Sequence, residues 1–241
     1  MPELPQTLDE AIAQAKSATA AAIADGHTRL QVELLFPELK PLPVAEQFIT
    51  MFADLESHLR VFFADAGAAA LAKRDWSQNR ELPFDPRGVK ERQSEIRPED
   101  QAFVIVAPTS SEVERVEAMS HEVGDRPFIL LNPQLQDIAV VGIGYAGRQL
   151  RKRFLNTFEI CYSLKPLENG AVFRAYPSGW TVWLEKAEGK YEMIAEEAQK
   201  PLGEDLERIF AQATHPANQQ GAAAKQGPLA SLQRFLRALS Q

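Results

Sequence analysis

The chain has 241 residues, 45% of them hydrophobic, and a formal net charge of −7. That length supports one sizeable core, or a core with an appended subdomain. The acidic balance argues against a general nucleic-acid binder, which needs a net basic face, and the single cysteine, Cys161, excludes an intramolecular disulfide and a cysteine zinc cluster.

Cys161 lies in an apolar run, which points to an inert buried thiol rather than a nucleophile. The first residues lack a basic stretch followed by an apolar core, and no apolar run is long enough to span a bilayer. The expected location is therefore cytoplasmic, or peripheral on a membrane.

In chain order, Thr7-Leu8-Asp9-Glu10 fits a capping box ahead of an alanine-rich helix that stops at Gly26. A first strand follows over residues 30–36. Pro43 to Ser57 reads as a second helix, with Val44, Phe48, Met51, Phe52 and Leu55 on one face. A second strand, Leu59 to Phe63, delivers Asp65-Ala66-Gly67 to its carboxyl end. Residues 73–100 break the rhythm with Pro83, Pro86, Gly88 and Pro98 among interleaved charges. They read as a long solvated connection. The functional alternative is a lid or docking loop carrying Arg74, Arg80, Arg87, Lys90, Arg92 and Arg97, but acids lie between these bases.

A third strand, Ala102 to Val106, runs into Pro108-Thr109-Ser110-Ser111-Glu112, a tight turn and a capped helix start. A fourth, Pro127 to Leu131, ends at Asn132-Pro133. The short apolar run Ile138 to Val141 leads into a glycine turn and a basic helix near Arg148 to Phe154. The last third changes character. Phe158 to Leu164, Ala171 to Tyr176, Trp180 to Leu184 and Tyr191 to Ala195 are separated by hairpin turn signals. A helix over 203–213 follows, then a linker over 214–227 and an amphipathic segment over 228–241. The expected fold is α/β: a Rossmann-like, mainly parallel sheet with covering helices, extended by a C-terminal antiparallel meander. Residues 1–213 form the expected single domain.

Two patterns bear on ligand binding. Gly142-Ile143-Gly144-Tyr145-Ala146-Gly147 matches GxGxxG, which lets a pyrophosphate approach a helix N-terminus; Arg148 follows it. It lies past the middle of the chain, no ribose-binding acid ends the next strand, and hairpins follow it. The preferred reading is a turn whose glycines permit positive φ. The second pattern is the crevice beyond the strand ends, which receives Asp65, Gly67, Thr109, Ser110, Ser111 and Asn132. Amides at the Ser110-Ser111 helix start suit a carboxylate or phosphate; helix capping by the same hydroxyls is the commoner use. His27, His58, His121 and His215 show no metal-site spacing. No catalytic residue and no metal are expected, and a nucleotide or phosphate is the one cofactor class left open.

Several segments together resemble a cyanobacterial and plastid family, the domain of unknown function DUF1995. They are Leu4-Pro5 with its alanine-rich helix, Gln31-Val32-Glu33-Leu34-Leu35-Phe36-Pro37-Glu38-Leu39, the strand ending Asn132-Pro133, Phe154-Leu155-Asn156-Thr157-Phe158-Glu159, and Gly170-Ala171-Val172-Phe173-Arg174-Ala175-Tyr176-Pro177 with Trp180. The resemblance covers most of residues 1–213 and implies an oxygenic phototroph. Plant relatives include a factor needed for photosystem II accumulation, and a protein joining such a domain to an adenylate kinase. The family supplies no catalytic residues to carry over.

The expected function is thus a non-catalytic interaction module for assembly or maintenance of photosynthetic membrane complexes. Its expected partners are proteins of that apparatus, with peripheral contact at the thylakoid surface. The competing reading is a nucleotide- or phosphate-binding regulator, an enzyme among its forms. In the terminal segment Leu229, Leu232, Phe235, Leu236 and Leu239 recur at helical spacing, with Arg234 and Arg237 the only charges. A helix this short is marginal alone. Its apolar face calls for the parent domain, a partner groove or a membrane surface.

Overall fold

The computed structural model describes residues 3–78, 81–91, 95–135, 145–187 and 189–214. The apolar run before the glycine turn, Gly142 and Gly144, most of the linker and the terminal segment with Leu229, Leu232, Arg234, Phe235, Leu236, Arg237 and Leu239 lie outside them. Among the described residues nine strands pair in the order β3-β2-β4-β5-β1-β6-β7-β8-β9. Their ranges are β1 Arg29–Leu34, β2 Leu59–Phe63, β3 Arg87–Gly88, β4 Ala102–Val106, β5 Phe128–Leu131, β6 Glu159–Leu167, β7 Gly170–Ala175, β8 Trp180–Ala187 and β9 Lys190–Glu197. The helices are α1 Leu8–Ala24, α2 Pro41–Phe48, α3 Ala66–Trp76, α4 Val113–Glu122, α5 Tyr145–Arg153 and α6 Glu204–Thr214. The fold is mixed α/β, parallel in its first strands and an antiparallel meander in its last, as the alternation of apolar runs and then hairpin signals predicts.

The described residues divide into two compact units, one drawn from 19–33 and 40–161, the other from 3–18, 34–39 and 162–214. In the first, β2, β4, β5 and β1 run parallel, in registers that set Leu59 opposite Ala102, Phe103 opposite Phe128 and Arg29 opposite Phe128. β4 and β5 are apolar on both faces, as parallel strands covered by crossover helices are, and β2 is so apart from Arg60, whereas β1 alternates, with Arg29, Gln31 and Glu33 along one face. One face carries Phe62, Phe103, Ile105, Phe128 and Leu130, packed with Val116 and Met119 of α4 and with Leu150 of α5. Phe154 and Phe158 extend that layer, meeting edge to face with ring centroids 5.2 Å apart. Toward the other face Phe63 packs on Trp76 of α3 at 5.7 Å. Cys161 is fully buried, its Sγ 3.5 Å from Thr19 Oγ1 and from the Gln31 carbonyl oxygen. That environment suits the inert thiol expected of it.

In the other unit, Glu10 N donates to Thr7 Oγ1 at 3.1 Å, the forward half of the expected capping box. The return bond differs: Glu10 Oε2 accepts from Gln6 N at 2.7 Å. The meander pairs Gly170 with Leu184 and Arg174 with Trp180. Tyr162 stands edge to face on Phe173, and burial pushes its phenol well above the ordinary tyrosine value. Arg174 and Lys200 both lie against the Trp180 ring, at 5.5 and 5.1 Å from its centroid.

Two expectations need correction. The helix over 43–57 ends at Phe48 and continues as 3₁₀ turns over Ile49–His58, broken at Phe52 and at Glu56, whose φ is +47°. The apolar spacing was helical, but it cannot register a backbone break. The solvated connection over 73–100 is partly structure. α3 runs to Trp76, Arg87–Gly88 pairs parallel with Phe62 and Phe63, and Val89 is fully buried. Ile96 packs against the same core.

Gly170 shows what a sheet glycine can be for. A Cβ there would stand 1.8 Å from the Trp183 carbonyl oxygen, a backbone atom that cannot swing aside. Gly170→Ala is expected to lower stability by about 1–3 kcal/mol, the usual cost of overpacking, measured as a reduced urea midpoint. An unchanged midpoint would contradict this account of the β7–β8 ladder.

Candidate functional site

The strand-end crevice is where ligands bind in open α/β sheets. The structure places the expected residues there, with an Asp65 oxygen and the Thr109 hydroxyl engaged as helix caps and Ser110 and Ser111 exposed. After β2, Asp65 is the N-cap of α3, and its Oδ1 accepts from Ala68 N at 2.9 Å. Gly67 sits beneath that carboxylate: a Cβ would come within 3.0 Å of Asp65 Oδ1. The backbone of Gly88 on β3 then presses on the helix start, where a Cβ would be 2.7 Å from Ala66 N. The cap thus takes the Ala68 amide, and the edge strand backs the start of α3, while Asp65, Ala66 and Gly67 are exposed.

After β4 and β5 the chain turns in matched fashion. Ala107 and Asn132 take φ of +46° and +48°, each directly before a proline. A pre-proline residue is steered away from the right-handed helical region. Here both positions take the left-handed one, which asparagine tolerates and alanine adopts at a cost of about 1–2 kcal/mol. Ala107 N donates to the Leu131 carbonyl and Asn132 N to the Val32 carbonyl, both at 2.8 Å. Gln134 N donates to the Pro108 carbonyl at 2.8 Å, and Thr109 and Gln134 form a parallel bridge. Asn132 and Thr109 thus do come together, as parts of one stitched turn.

Thr109 opens the next helix with a capping box. Its Oγ1 accepts from Ser111 N at 3.3 Å, while its own N and Oγ1 donate to Glu112 Oε2 at 3.1 and 2.6 Å. Glu112 is only 7% exposed. Lys90 closes the group, donating to the Ser111 carbonyl at 2.7 Å and pairing with Glu112 Oε1 at 3.4 Å. Ser110 and Ser111 are exposed. Arg148 is an exposed residue of α5, and Gly147 lies in that helix's first turn. Thr109→Ala is expected to cost about 1 kcal/mol, as loss of an N-cap does. Ser110→Ala should stay within about 0.5 kcal/mol. Chemical unfolding of the two variants checks the contrast, and equal effects would contradict the assignment of Thr109 as the cap.

A second concave region went unread in the sequence. A cleft of about 950 Å³ opens beside α3 and the edge strand, lined in part by Arg60, Lys73, Asp85, Arg87 and Arg97. Lys73 projects from α3 and Arg87 from β3, and Asp85 joins them: Lys73 Nζ donates to Oδ1 at 2.9 Å, and Arg87 pairs with Oδ2. Arg60, from β2, is 13% exposed and pairs at 3.8 Å with Asp100, itself 2% exposed. A smaller apolar recess of about 100 Å³, bounded by Ile49, Phe52 and Leu59, shares Leu82, Pro83 and Phe84 with the cleft. Interleaved acids hid this cluster: in sequence they cancel the bases, whereas the fold gathers four bases, among the described residues, on one concavity and sets Asp100, Glu91 and Glu99 against Arg60, Arg87 and Arg97, with Asp85 between Lys73 and Arg87.

Burial raises the Asp85 carboxyl, but the hydrogen bond from Lys73 and the charges of Arg87 and Lys73 outweigh it and hold the group below its ordinary value. A depressed acid stabilises the fold fully above its unfolded value, near pH 3.9, and loses that contribution as pH falls through the lower folded value. Asp85→Asn is therefore expected to flatten the stability profile below about pH 4. Unfolding measured from pH 6 to pH 2 checks this, and identical profiles would show that Asp85 does not hold the segment.

Among the described residues no group of three His, Cys, Asp or Glu side chains is placed to hold a metal ion. Fold and site together define a mixed α/β protein in which Asp65 and Thr109 cap helices at the strand ends and an open cleft lined by paired bases and acids lies by the sheet edge. The family model described as Domain of unknown function (DUF1995) matches residues 5–208, and the chain belongs to that family. No solved structure matches it.

Proposed function

We propose that this chain is a non-catalytic interaction factor that assists assembly or maintenance of photosynthetic membrane complexes, photosystem II foremost. One observation carries the non-catalytic part. At the strand ends Asp65, Thr109 and Glu112 spend their oxygens on backbone amides and on each other. An oxygen engaged as a cap is poorly placed to move a substrate proton. The photosynthetic part is supported by membership of the DUF1995 family and by the resemblance to plant factors for photosystem II accumulation, a warrant by association rather than mechanism. Among the described residues no helix is long and apolar enough to cross a membrane, so on this reading contact with membrane complexes is peripheral.

A nucleotide- or phosphate-binding regulator is the second reading. Its support is that α5 opens directly after Gly142-Ile143-Gly144, the order a phosphate-cradling turn requires. A cyanobacterial strain lacking its own DUF1995 gene separates the two. The assembly reading expects reduced photosystem II content and slow recovery from light stress, both restored by this chain and equally by its Gly144→Val variant. Normal photosystem II content in the deletion strain would contradict the assembly reading. Failure of Gly144→Val alone, with the variant folded, would favour the regulator.

A further inference from the structure

We infer that the cleft beside α3 and β3 is a binding site for a small anionic ligand carrying an apolar ring or short chain. This goes beyond the assembly role, and its failure would leave that role untouched. Three observations support it. The first is charge: in a chain of formal charge −7, four bases, Arg60, Lys73, Arg87 and Arg97, converge among the described residues on one concavity, Arg60 held by the buried Asp100 and Arg87 and Arg97 flanked by Glu91 and Glu99.

The second is geometry. Asp85 shows how the cleft holds an anion, because its two oxygens are divided between Lys73 on one side and Arg87 on the other. That spacing fits any two-oxygen anionic face, carboxylate or phosphate. Lys73 is 61% and Arg87 31% exposed, so both cations are reachable from solvent while engaged with Asp85. The third is the neighbouring apolar recess, whose walls at Leu82, Pro83 and Phe84 are also walls of the basic cleft. A ligand whose charged head meets Lys73 and Arg87 can therefore lay an apolar group over Phe84 toward Ile49 and Phe52. The volume of about 950 Å³ lies in the range of small-molecule sites, roughly 300–1,000 Å³.

Isothermal titration calorimetry of the full chain tests this with naphthyl phosphate and naphthoate, against inorganic phosphate and naphthol. At least one of the two anionic naphthyl compounds is expected to bind about tenfold or more tightly than either half-molecule, and which one does so identifies the head group. Lys73→Gln and Arg87→Gln are expected to weaken it about tenfold each, as loss of a charge-assisted hydrogen bond does. Asp85→Asn is expected to tighten it, because the competing charge is removed while the side chain of the same shape keeps an amide oxygen that accepts from Lys73 or Arg87 and holds the segment in place. A residue that served only to hold the loop would have the opposite effect. Circular dichroism melts establish that each variant is folded. Binding of neither anionic compound, affinity unchanged in folded Lys73→Gln and Arg87→Gln, or weaker binding to folded Asp85→Asn would each overturn the proposal.

Discussion

The carboxylate of Asp85 is the constraint on which the cleft depends. It joins Lys73 on α3 to Arg87 on β3, and so draws the proline-containing segment between those elements against the sheet edge. Pro86 is buried, and beyond it Val89 is fully buried with its N donating to the Phe63 carbonyl at 2.9 Å. β3 is two residues long, and Gly88 reaches the start of α3 only because it has no side chain to obstruct it. Partly exposed ion pairs contribute only about 0–1 kcal/mol each, so this one matters for the shape it imposes more than for stability. Removing the carboxylate would leave two bases facing each other across a cleft, the arrangement an external anion would relieve.

The strand ends are organised on the opposite plan. There several polar groups are engaged locally: Asp65 on an α3 amide, Thr109 and Glu112 on each other, Lys90 on the Ser111 carbonyl. Left-handed pre-proline turns at Ala107 and Asn132 fold the ends of β4 and β5 onto one another. At the starts of the same strands two arginines gather carbonyls in place of a hydroxyl or amide network. Arg29 donates to the carbonyls of Ser120 and Arg126, and Arg126 to those of Arg97, Asp100 and Val123. Each guanidinium also lies over a core phenylalanine, Arg29 over Phe128 and Arg126 over Phe103. Burial draws Arg29 below its ordinary value, the nearby Asp125 charge working against that shift.

Much of this was legible in the sequence for a simple reason. β4 is a continuous apolar run and β2 is one apart from Arg60, and burial is what such runs encode, so Leu59–Phe63 and Ala102–Val106 are found at the bounds expected. The Thr109 cap was equally readable, because a capping box is a local pattern. What was missed is set by distant partners. β3 has no periodicity to detect and exists because Phe62 and Phe63 offer it an edge. Ala107 bears no sign of its left-handed turn, since alanine is not a residue that marks one. The cleft escaped because charge was judged along the chain, where acids alternate with bases, whereas folding sets Arg60 and Arg97 beside Lys73 and Arg87 from separate segments.

The central claim is that ligand chemistry in this protein belongs to the sheet edge and not to the strand ends. A crystal structure of the full chain soaked with naphthyl phosphate tests it most directly. The account predicts phosphate oxygens within hydrogen-bonding distance of Lys73 Nζ and the Arg87 guanidinium, with the naphthyl ring against Phe84. A phosphate seated instead on the amides of Gly144 to Arg148, or at the Ser110-Ser111 helix start, would contradict it.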